Sequence, residues 1–369
     1  MASFLEVFED VTKEGHKIPK ESYLPEGLYP IIDQGQEYIT GYSNEKAGLY
    51  ESVPAIIFGD HTRIIKYVDT PCFLGADGVK LLRAKIPDAN YKYLYYALCN
   101  ARIPDTGYNR HFKWLKEIDI PLPGTLKQEH IVSVLDKIND LIDLRKQQLD
   151  KLDELVKARF VEMFGDPVRN SMGWERVTLR EVTSKIGSGA TPKGGKESYH
   201  PEGITLIRSM NVHDGRFEYK NLAHITEEQA SQLDNVEVCQ NDVFINITGA
   251  SVARSCIVPD SVLPARVNQH VAIVRCNPER INYQFANNQF LNPTYKNQLL
   301  ALGESGGATR QAITKQQLEE LYVVLPPLER QEQFAAFVDQ IEKTRLTIRQ
   351  GLDKLEIMKK ALMQEYFGG

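Results

Sequence analysis

The sequence predicts an α+β protein built from two mixed α/β domains, each followed by a long helix. Residues 128–165 recur without a gap at 331–368, at a constant offset (331 − 128 = 203) that places Asp136 on Asp339. Both copies have the apolar heptad pattern of a packed helix. The segments before the two copies have the same order of predicted elements. A period of about 200 residues is far longer than that of a solenoid, so it indicates a duplicated domain.

The first domain is predicted to span residues 1–123. Short apolar runs at 29–32, 55–58 and 79–82 are typical of buried strands. Residues 91–99 are predicted to form a helix. Residues 76–83 (ADGVKLLR) align with residues 268–275 (NQHVAIVR), which indicates that the two domains follow the same chain path.

The first long helix is predicted at 124–165. Thr125 and Gln128 have the spacing of a capping box, and Gly165 is suited to end the helix. Its heptad stripe leaves polar positions at Arg145 and Arg159. The apolar members of the stripe are Ile131, Leu135, Ile138, Ile142, Leu149, Leu152, Val156 and Met163.

A linker at 166–173 leads into the second domain, predicted at 174–326. Its predicted strands are 204–207, 243–247 and 271–274. Its predicted helices are 227–233, 283–291 and 315–321. The first and last of these helices follow capping boxes, formed by Thr226 with Gln229 and by Thr314 with Gln317.

The second long helix is predicted at 327–369. Its polar stripe positions are Arg345 and Lys359, and each one matches an apolar position of the first copy. The two helices are therefore expected to form an intramolecular coiled coil, with basic stems lying over the partner's apolar seam. About 37 residues at ~1.5 Å each give a rod of roughly 55 Å. The apolar members of the stripe are Phe334, Val338, Ile341, Ile348, Leu352, Leu355, Leu362 and Tyr366.

The composition is that of an ordinary globular protein. The chain has 369 residues, a net charge of −5 and 42% hydrophobic residues. No apolar run reaches the ~18 residues that a membrane span needs, and the N-terminus lacks a basic region, so a cytoplasmic protein is expected. The five cysteines include no C-x-x-C pair, so neither a disulfide framework nor a zinc site is predicted. Neither half has the basic excess usual for nucleic-acid binding.

Catalytic motifs are absent from the sequence. The Gly-rich run at 187–196 lacks the Gly-Lys-Ser/Thr spacing of a phosphate-binding loop, so a basic surface loop is predicted there. We find no methyltransferase cofactor loop, nuclease signature, catalytic triad or metal-ligand spacing. The sequence therefore favours a recognition protein with no catalytic or metal-binding residue.

Several segments together resemble the DNA-specificity subunits of type I restriction-modification systems, and the resemblance covers essentially the whole chain. It implies two target-recognition domains, each reading one half of a split DNA site, and antiparallel long helices that serve as a ruler. The segments that carry it are 325–331 (LPPLERQ) with its degenerate counterpart 121–128 (PLPGTLKQ), the helices ending in Phe-Gly, 29–36 (YPIIDQGQ), 58–63 (FGDHTR), 206–212 (LIRSMNV) and 246–251 (NITGAS).

Given that resemblance, loop position and donor or acceptor chemistry identify candidate DNA contacts. Arg110 and Arg310 occupy matching positions and are expected to contact phosphates or bases; a plain surface role is the alternative for any single candidate. The candidates of the first domain are Gln34, Gln36, His61, Thr62, Arg63 and Arg110. Those of the second domain are Ser209, Asn211, Thr248, Ser251, Arg254, Asn268, Gln269, His270 and Arg310.

The resemblance also implies partners. Two methyltransferase subunits are expected to dock on the helices and to methylate adenine with S-adenosylmethionine after flipping the base out of the duplex. A restriction and translocase subunit is a further expected partner, whereas the chain itself is expected to be non-catalytic and to need no cofactor. Two other classes stay open: a coiled-coil adaptor that binds protein rather than DNA, and a self-sufficient nuclease or methyltransferase, which the missing motifs disfavour.

Overall fold

The computed structural model describes residues 1–75, 78–107, 109–192, 195–304 and 311–368. Two compact units are present: Met1–Lys146 with Arg349–Gly369, and Gln147–Ile348. Each unit combines one globular domain with parts of both long helices. This division cuts across the predicted linear segments, because each domain packs on both helices. No helix in the described part of the chain is long and apolar enough to cross a membrane.

The first domain contains two small sheets and short helices. Its strands are β1 (Ala2–Ser3), β2 (Phe8–Asp10), β3 (Tyr29–Ile32), β4 (Gly41–Ser43), β5 (Ala55–Gly59), β6 (Ile65–Val68), β7 (Phe73–Leu74), β8 (Val79–Ala84) and β9 (Asp119–Ile120). Its helices are α1 (Phe4–Val7), α2 (Tyr91–Cys99) and α3 (Phe112–Leu115), and α4 (Thr125–Phe164) follows. The strands and helix predicted for this domain are confirmed, with β5 and β8 slightly longer than predicted.

Strand β5 lies at the centre of the first domain. One sheet has the antiparallel order β2-β8-β5-β6, and another has the order β4-β3-β7, in which β3 and β7 are parallel. Side chains alternate along β5, as the strand period of two requires. Ile56 and Phe58 pack in the core with α2 and the start of α4, whereas Ala55 and Ile57 pack in the core shared with β3 and β7.

The second domain repeats this topology. Its strands are β10 (Glu175–Thr178), β11 (Thr183–Ser188), β12 (Ile204–Ile207), β13 (Val212–His213), β14 (Arg216–Phe217), β15 (Ala223–Ile225), β16 (Val243–Asn246), β17 (Ser255–Ile257), β18 (Ala265–Val267), β19 (Val271–Cys276) and β20 (Tyr322–Leu325). Its helices are α5 (Glu227–Ser231), α6 (Tyr283–Leu291), α7 (Pro293–Glu304) and α8 (Lys315–Glu319), and α9 (Leu328–Phe367) follows. The sheet orders β11-β19-β16-β17 and β15-β12-β18 match those of the first domain strand for strand.

The two predicted capping boxes of the second domain are confirmed. The amide of Gln229 donates to Thr226 Oγ1 at 3.1 Å, and the amide of Gln317 donates to Thr314 Oγ1 at 3.2 Å. In both cases the glutamine side chain accepts the threonine amide in return. These short helices therefore start where local sequence specifies.

The predicted capping box at the start of α4 is wrong. Thr125 is already helical, and the Gln128 amide bonds to the Gly124 carbonyl. Gln128 Nε2 instead donates to the Pro123 carbonyl at 2.8 Å. The repeated Gln331 does the same to the carbonyl of the residue five positions before it, also at 2.8 Å. A repeated glutamine thus ties each long helix to the strand-to-helix loop before it.

A repeated aspartate fixes each long helix to its own domain. Asp136 accepts hydrogen bonds from Lys92 Nζ and from the Tyr96 hydroxyl, both at 2.6 Å. In the second domain Asp339 accepts one from Gln284 Nε2 at 2.6 Å. Lys92 and Gln284 are the second residues of α2 and α6. The duplicated domains therefore dock on their helices through equivalent positions.

The long helices pack as an antiparallel pair. In the first unit, Ile131 near the start of α4 shares a core with Leu362 and Tyr366 near the end of α9. In the second unit, Phe160 near the end of α4 shares a core with Phe334 near the start of α9. The start of each helix therefore meets the end of the other.

The predicted stripe is wrong near the end of α4. There it assigned Arg159 and Met163 to the seam, but Phe160 is 2% exposed, Phe164 is fully buried and Met163 is only half-buried. A straight helix drifts relative to a strict heptad, and the core of the second domain covers the shifted face. At this end of α4, the buried face of the helix therefore packs into the core of the second domain.

Two of the four predicted basic side chains, Arg159 and Arg345, lie over the helix pair. Arg345 is only 8% exposed, and its guanidinium bonds Asp153 Oδ1 at 2.7 Å and Glu342 Oε1 at 2.9 Å. The Arg159 guanidinium lies 5.8 Å from the centroid of the Phe337 ring. The long apolar stems of these arginines thus extend the packed surface of the helices.

The predicted linker 166–173 is a defined turn. Gly165 has φ +73° and donates its amide to the Val161 carbonyl, so α4 ends as predicted. Asp166 Oδ1 then accepts the Val168 amide at 2.8 Å and the Thr294 hydroxyl at 3.0 Å. The turn is therefore fastened to the second domain.

Candidate nucleic-acid interface

Loops of the first domain bring three predicted residues together. The amide of His61 donates to Gln34 Oε1 at 3.2 Å, and the Thr62 hydroxyl donates to the Gln34 carbonyl at 2.7 Å. The Nδ1 atom of the His61 ring lies 3.2 Å from the Asn109 carbonyl. The loops after β3, after β5 and before α3 therefore meet at one end of the domain, which we call the recognition end of the first domain.

Gln36 and Arg110 lie on the same loops and are exposed. Arg110 immediately precedes the fully buried His111, whose ring Nδ1 lies 3.0 Å from the Asp60 carbonyl. The buried histidine fixes the backbone while the neighbouring guanidinium reaches solvent. Both candidates therefore remain suited to contact a ligand.

Arg63 is held by the protein itself. Its φ is +61°, and its guanidinium forms an ion pair with Asp105 at 2.7 Å and donates to the Ile103 carbonyl at 3.3 Å. The Gly107 amide and the Arg63 guanidinium hold the pKa of Asp105 below its ordinary value. Arg63 therefore positions the loop before α3, and its role as a DNA contact stays a prediction.

In the second domain, polar side chains form a hydrogen-bonded chain. Thr191 donates to Gln269 Oε1, Gln269 Nε2 lies 3.1 Å from His270 Nε2, and His270 Nδ1 contacts the Thr248 hydroxyl. Gln269 is exposed at the surface, whereas His270 and Thr248 are half-buried. The Gly-rich loop, the turn before β19 and the loop after β16 therefore meet; we call this the recognition end of the second domain. The loop after β16 is the counterpart of the loop after β5 in the first domain. Thr191 was not among the predicted contacts.

Ser251 and Arg254 lie in the turn between β16 and β17. The Arg254 amide donates to the Ser251 carbonyl at 3.2 Å, and Ala253 between them has φ +66°. Within the described residues, the half-exposed Arg254 guanidinium has no ion-pair partner. Ser209 is half-exposed nearby, and its carbonyl accepts Asn246 Nδ2 at 2.9 Å. This turn presents an arginine to solvent on the connection that follows β16.

Asn211 and Asn268 are buried in the structure. Asn211 is fully buried, where its Nδ2 donates to the Glu218 carbonyl at 2.9 Å and its Oδ1 accepts the Arg208 amide at 3.1 Å. Asn268 is 5% exposed and its Oδ1 accepts the His270 amide at 3.0 Å. Both side chains hydrogen-bond within turns of the domain, and their roles as DNA contacts stay predictions. Arg310, the remaining candidate, lies outside the described residues.

The described side chains at the two recognition ends offer hydrogen-bond donors and acceptors. No group of three His, Cys, Asp or Glu residues could hold a metal ion in the described ranges. Burial raises the pKa of Cys72 and of Cys256 to about 12, so both thiols stay protonated near neutral pH. Exposed amides, hydroxyls and arginines on loops are the groups that contact base edges and phosphates.

The chain matches a family model over residues 4–154 and 172–356, which cover both domains and most of both long helices. That family is described as the type I restriction modification DNA specificity domain. The chain belongs to this family. The match supports a DNA-specificity subunit of a type I restriction-modification system, and it does not support the protein-binding adaptor.

Relatives along the full length agree with this assignment. The chain is 23% identical to a type I restriction enzyme specificity subunit of Escherichia coli over 98% of its own length and 90% of the relative's. The type I specificity subunit of M. genitalium has the same fold, with a TM-score of 0.59, 16% identity and coverage of 98% of this chain and 94% of that one. A chain from a structural study of type I complex assembly gives a TM-score of 0.53, with 18% identity and coverage of 99% and 95%.

Lys66 is a positioning residue that sequence reasoning missed in this specificity subunit. It lies in β6, is 5% exposed, and donates from Nζ to the Glu37 carbonyl at 2.5 Å. Its Nζ is 3.7 Å from Asp33 Oδ1, which also accepts the Gly35 amide at 2.7 Å. Burial lowers the pKa of Lys66, and Asp33 partly offsets this effect. The lysine thus supports the loop that carries Gln34 from the buried side. In the sequence, a single lysine within an apolar strand could have indicated this role.

Replacing Lys66 with Met should relax base choice in one half of the recognised sequence only. The substitution preserves side-chain length but removes a buried charge-assisted hydrogen bond worth about 1.5–3 kcal/mol. Mapping of methylated sites should show this relaxed base choice. Lys46→Met is the matched control, because Lys46 is an exposed lysine of the same domain whose side chain is 73% accessible. Relaxation in both halves, or in neither, would contradict this role.

Proposed function

We propose that each globular domain reads one half of a split DNA sequence through the loops at its recognition end. The observation that carries this proposal is the duplication of one topology, in which each copy presents different polar side chains on its loops. Gln34 and His61 meet in the first domain, whereas Gln269, His270 and Thr248 meet in the second. One scaffold with two polar surfaces suits an asymmetric, two-part sequence.

The partners proposed are double-stranded DNA and two methyltransferase subunits, one on each copy of the repeated helix. Leu155 and Met358 support this number, since they occupy equivalent positions (358 − 155 = 203) and are 47% and 52% exposed. Exposed apolar side chains at repeated positions suit two copies of one partner. A restriction subunit, where one is encoded nearby, is a further proposed partner.

The chemistry is assigned to the partners. The methyltransferase subunits would bind S-adenosylmethionine and flip the target adenine out of the stack, while this chain, itself non-catalytic, selects the sequence. The complex is expected to act in the cytoplasm. Cofactor binding by the isolated chain would contradict this division of labour.

Genome-wide mapping of methylated adenine tests the proposal. The chain is co-expressed with the methyltransferase subunit encoded beside it, and methylated sites are identified by single-molecule sequencing. A split motif with a fixed spacer, lost when this chain is deleted, is the expected result. A continuous motif, or a motif that persists without the chain, would contradict the proposal.

A further inference from the structure

A cluster of cations surrounds α3 in the first domain. Lys113 Nζ lies 4.0 Å from the centroid of the Trp114 ring. Lys80 Nζ and Lys116 Nζ lie 5.0 Å and 4.8 Å from the centroid of the Phe112 ring. Three ammonium groups therefore lie over two aromatic rings of α3. We call Lys80, Arg110, Lys113 and Lys116 the basic ridge.

The basic ridge is fixed beside the recognition end. The amides of His111 and Phe112 donate to the carbonyl and to Oδ1 of Asp60, each at 2.8 Å. Asp60 is only 4% exposed and directly precedes His61 and Thr62. The start of α3 and the loop after β5 are therefore held together by buried hydrogen bonds. A ligand that reaches that loop would also reach the ridge.

The charges of the ridge are incompletely balanced within the protein. Lys80 pairs with Asp10 at 3.2 Å. Lys113 and Lys116 are exposed and have no ion-pair partner among the described residues. Residues three apart are neighbours on a helix, so these two ammonium groups repel each other. The ring contacts orient them without neutralising their charge. An external anion would relieve the repulsion.

The duplicated domain shows that the fold does not require these cations. The offset of 203 extends upstream of the long helices, placing buried Leu115 on buried Leu318. Gln316 and Glu319 then stand where the first domain has Lys113 and Lys116. Glu319 is neutralised within the domain, by Arg180 at 2.8 Å and Lys315 at 3.5 Å. The same helix is thus built with and without a positive surface.

We propose that the basic ridge binds the phosphate backbone of DNA beside the half of the site read by the first domain. This inference rests on the proposed function. Lysine ammonium groups act as point charges toward phosphates, so the contact adds affinity without sequence information. Gln316 and Glu319 replace Lys113 and Lys116 in the second domain, so these two backbone contacts are made only beside the half read by the first domain.

Salt dependence of DNA binding tests the ridge. The complete complex with the methyltransferase subunits is titrated onto a duplex carrying the mapped sequence and onto a scrambled duplex of equal length. Lys113→Gln combined with Lys116→Gln should reduce the slope of log K against log salt by about 2, since each phosphate contact contributes about 0.9. Affinity should fall on both duplexes, and the methylated motif should stay unchanged.

Two further variants make the outcome decisive. Lys113→Arg combined with Lys116→Arg retains both charges and should restore the wild-type slope. Lys315→Gln changes a lysine of the matching helix that is already paired with Glu319, and should leave the slope unchanged. A Gln double variant with the wild-type slope, or an Arg double variant that also loses slope, would overturn the inference. If the wild-type complex does not prefer the mapped duplex, the proposed function fails instead, and the scrambled duplex still tests the ridge.

Discussion

Exchanging residues 174–326 for the equivalent domain of another family member is expected to change one half of the methylated sequence and leave the other half intact. Methylation at the original sites should disappear, because each mismatched base pair costs about 1–3 kcal/mol and several are replaced together. The second domain carries its own sheets and its own polar loops, so the exchange leaves the loops around Gln34 and His61 unchanged.

Mapping of methylated adenine in cells that carry the hybrid chain is the measurement. The reciprocal exchange of residues 1–123 is the matched control and should change the opposite half. A hybrid that alters both halves would show that the two domains read DNA jointly, which would contradict the modular assignment.

Replacing Phe164 with Ala should destabilise the second unit by about 3–5 kcal/mol, the usual cost of emptying a buried aromatic position. Phe164 is fully buried, and its ring centroid lies 4.8 Å from that of Phe285 and 5.6 Å from that of Phe334. These two rings belong to α6 and α9, so one side chain joins the domain to both long helices. Chemical denaturation of the full chain should show an unfolding transition at a lower denaturant concentration.

Val161→Ala is the matched control for that substitution. Val161 lies on the same helical turn but is 48% exposed, so its truncation should change the free energy of unfolding by less than about 0.5 kcal/mol. Equal losses for the two variants would mean that the aromatic cluster does not hold the domain on its helices.

The local sequence pattern was sufficient to predict those helices and strands that are specified by residues close together in the chain. Strands at 204–207 and helices at 91–99 and 283–291 were predicted to the residue, because short apolar runs and N-cap residues act within a few positions. Helix α7 was not predicted, although Asn292 caps the amide of Thr294 next to Pro293, which is a recognisable start. Few residues of this helix are buried, so its sequence has only a weak apolar periodicity.

The candidate interface was predicted less completely. Gln34, His61, Thr248 and His270 were placed on loops that the structure brings together, whereas Asn211 and Arg63 serve the protein's own loops. An exposed amide and a buried one have the same sequence signature, because the difference depends on which backbone carbonyls fold against it.

The sequence by itself determined the duplication, the position of the long helices and three strands in each half. These features depend on periodicity and on residues a few positions apart, which act wherever the chain is. Tertiary structure alone decided that the repeated aspartates hold different partners, Lys92 and Gln284, and that Lys66 supports a loop from a neighbouring strand. It also decided which cations stay unpaired at the surface. Such contacts join residues far apart in the chain, so they exist only once the sheets and helices have packed.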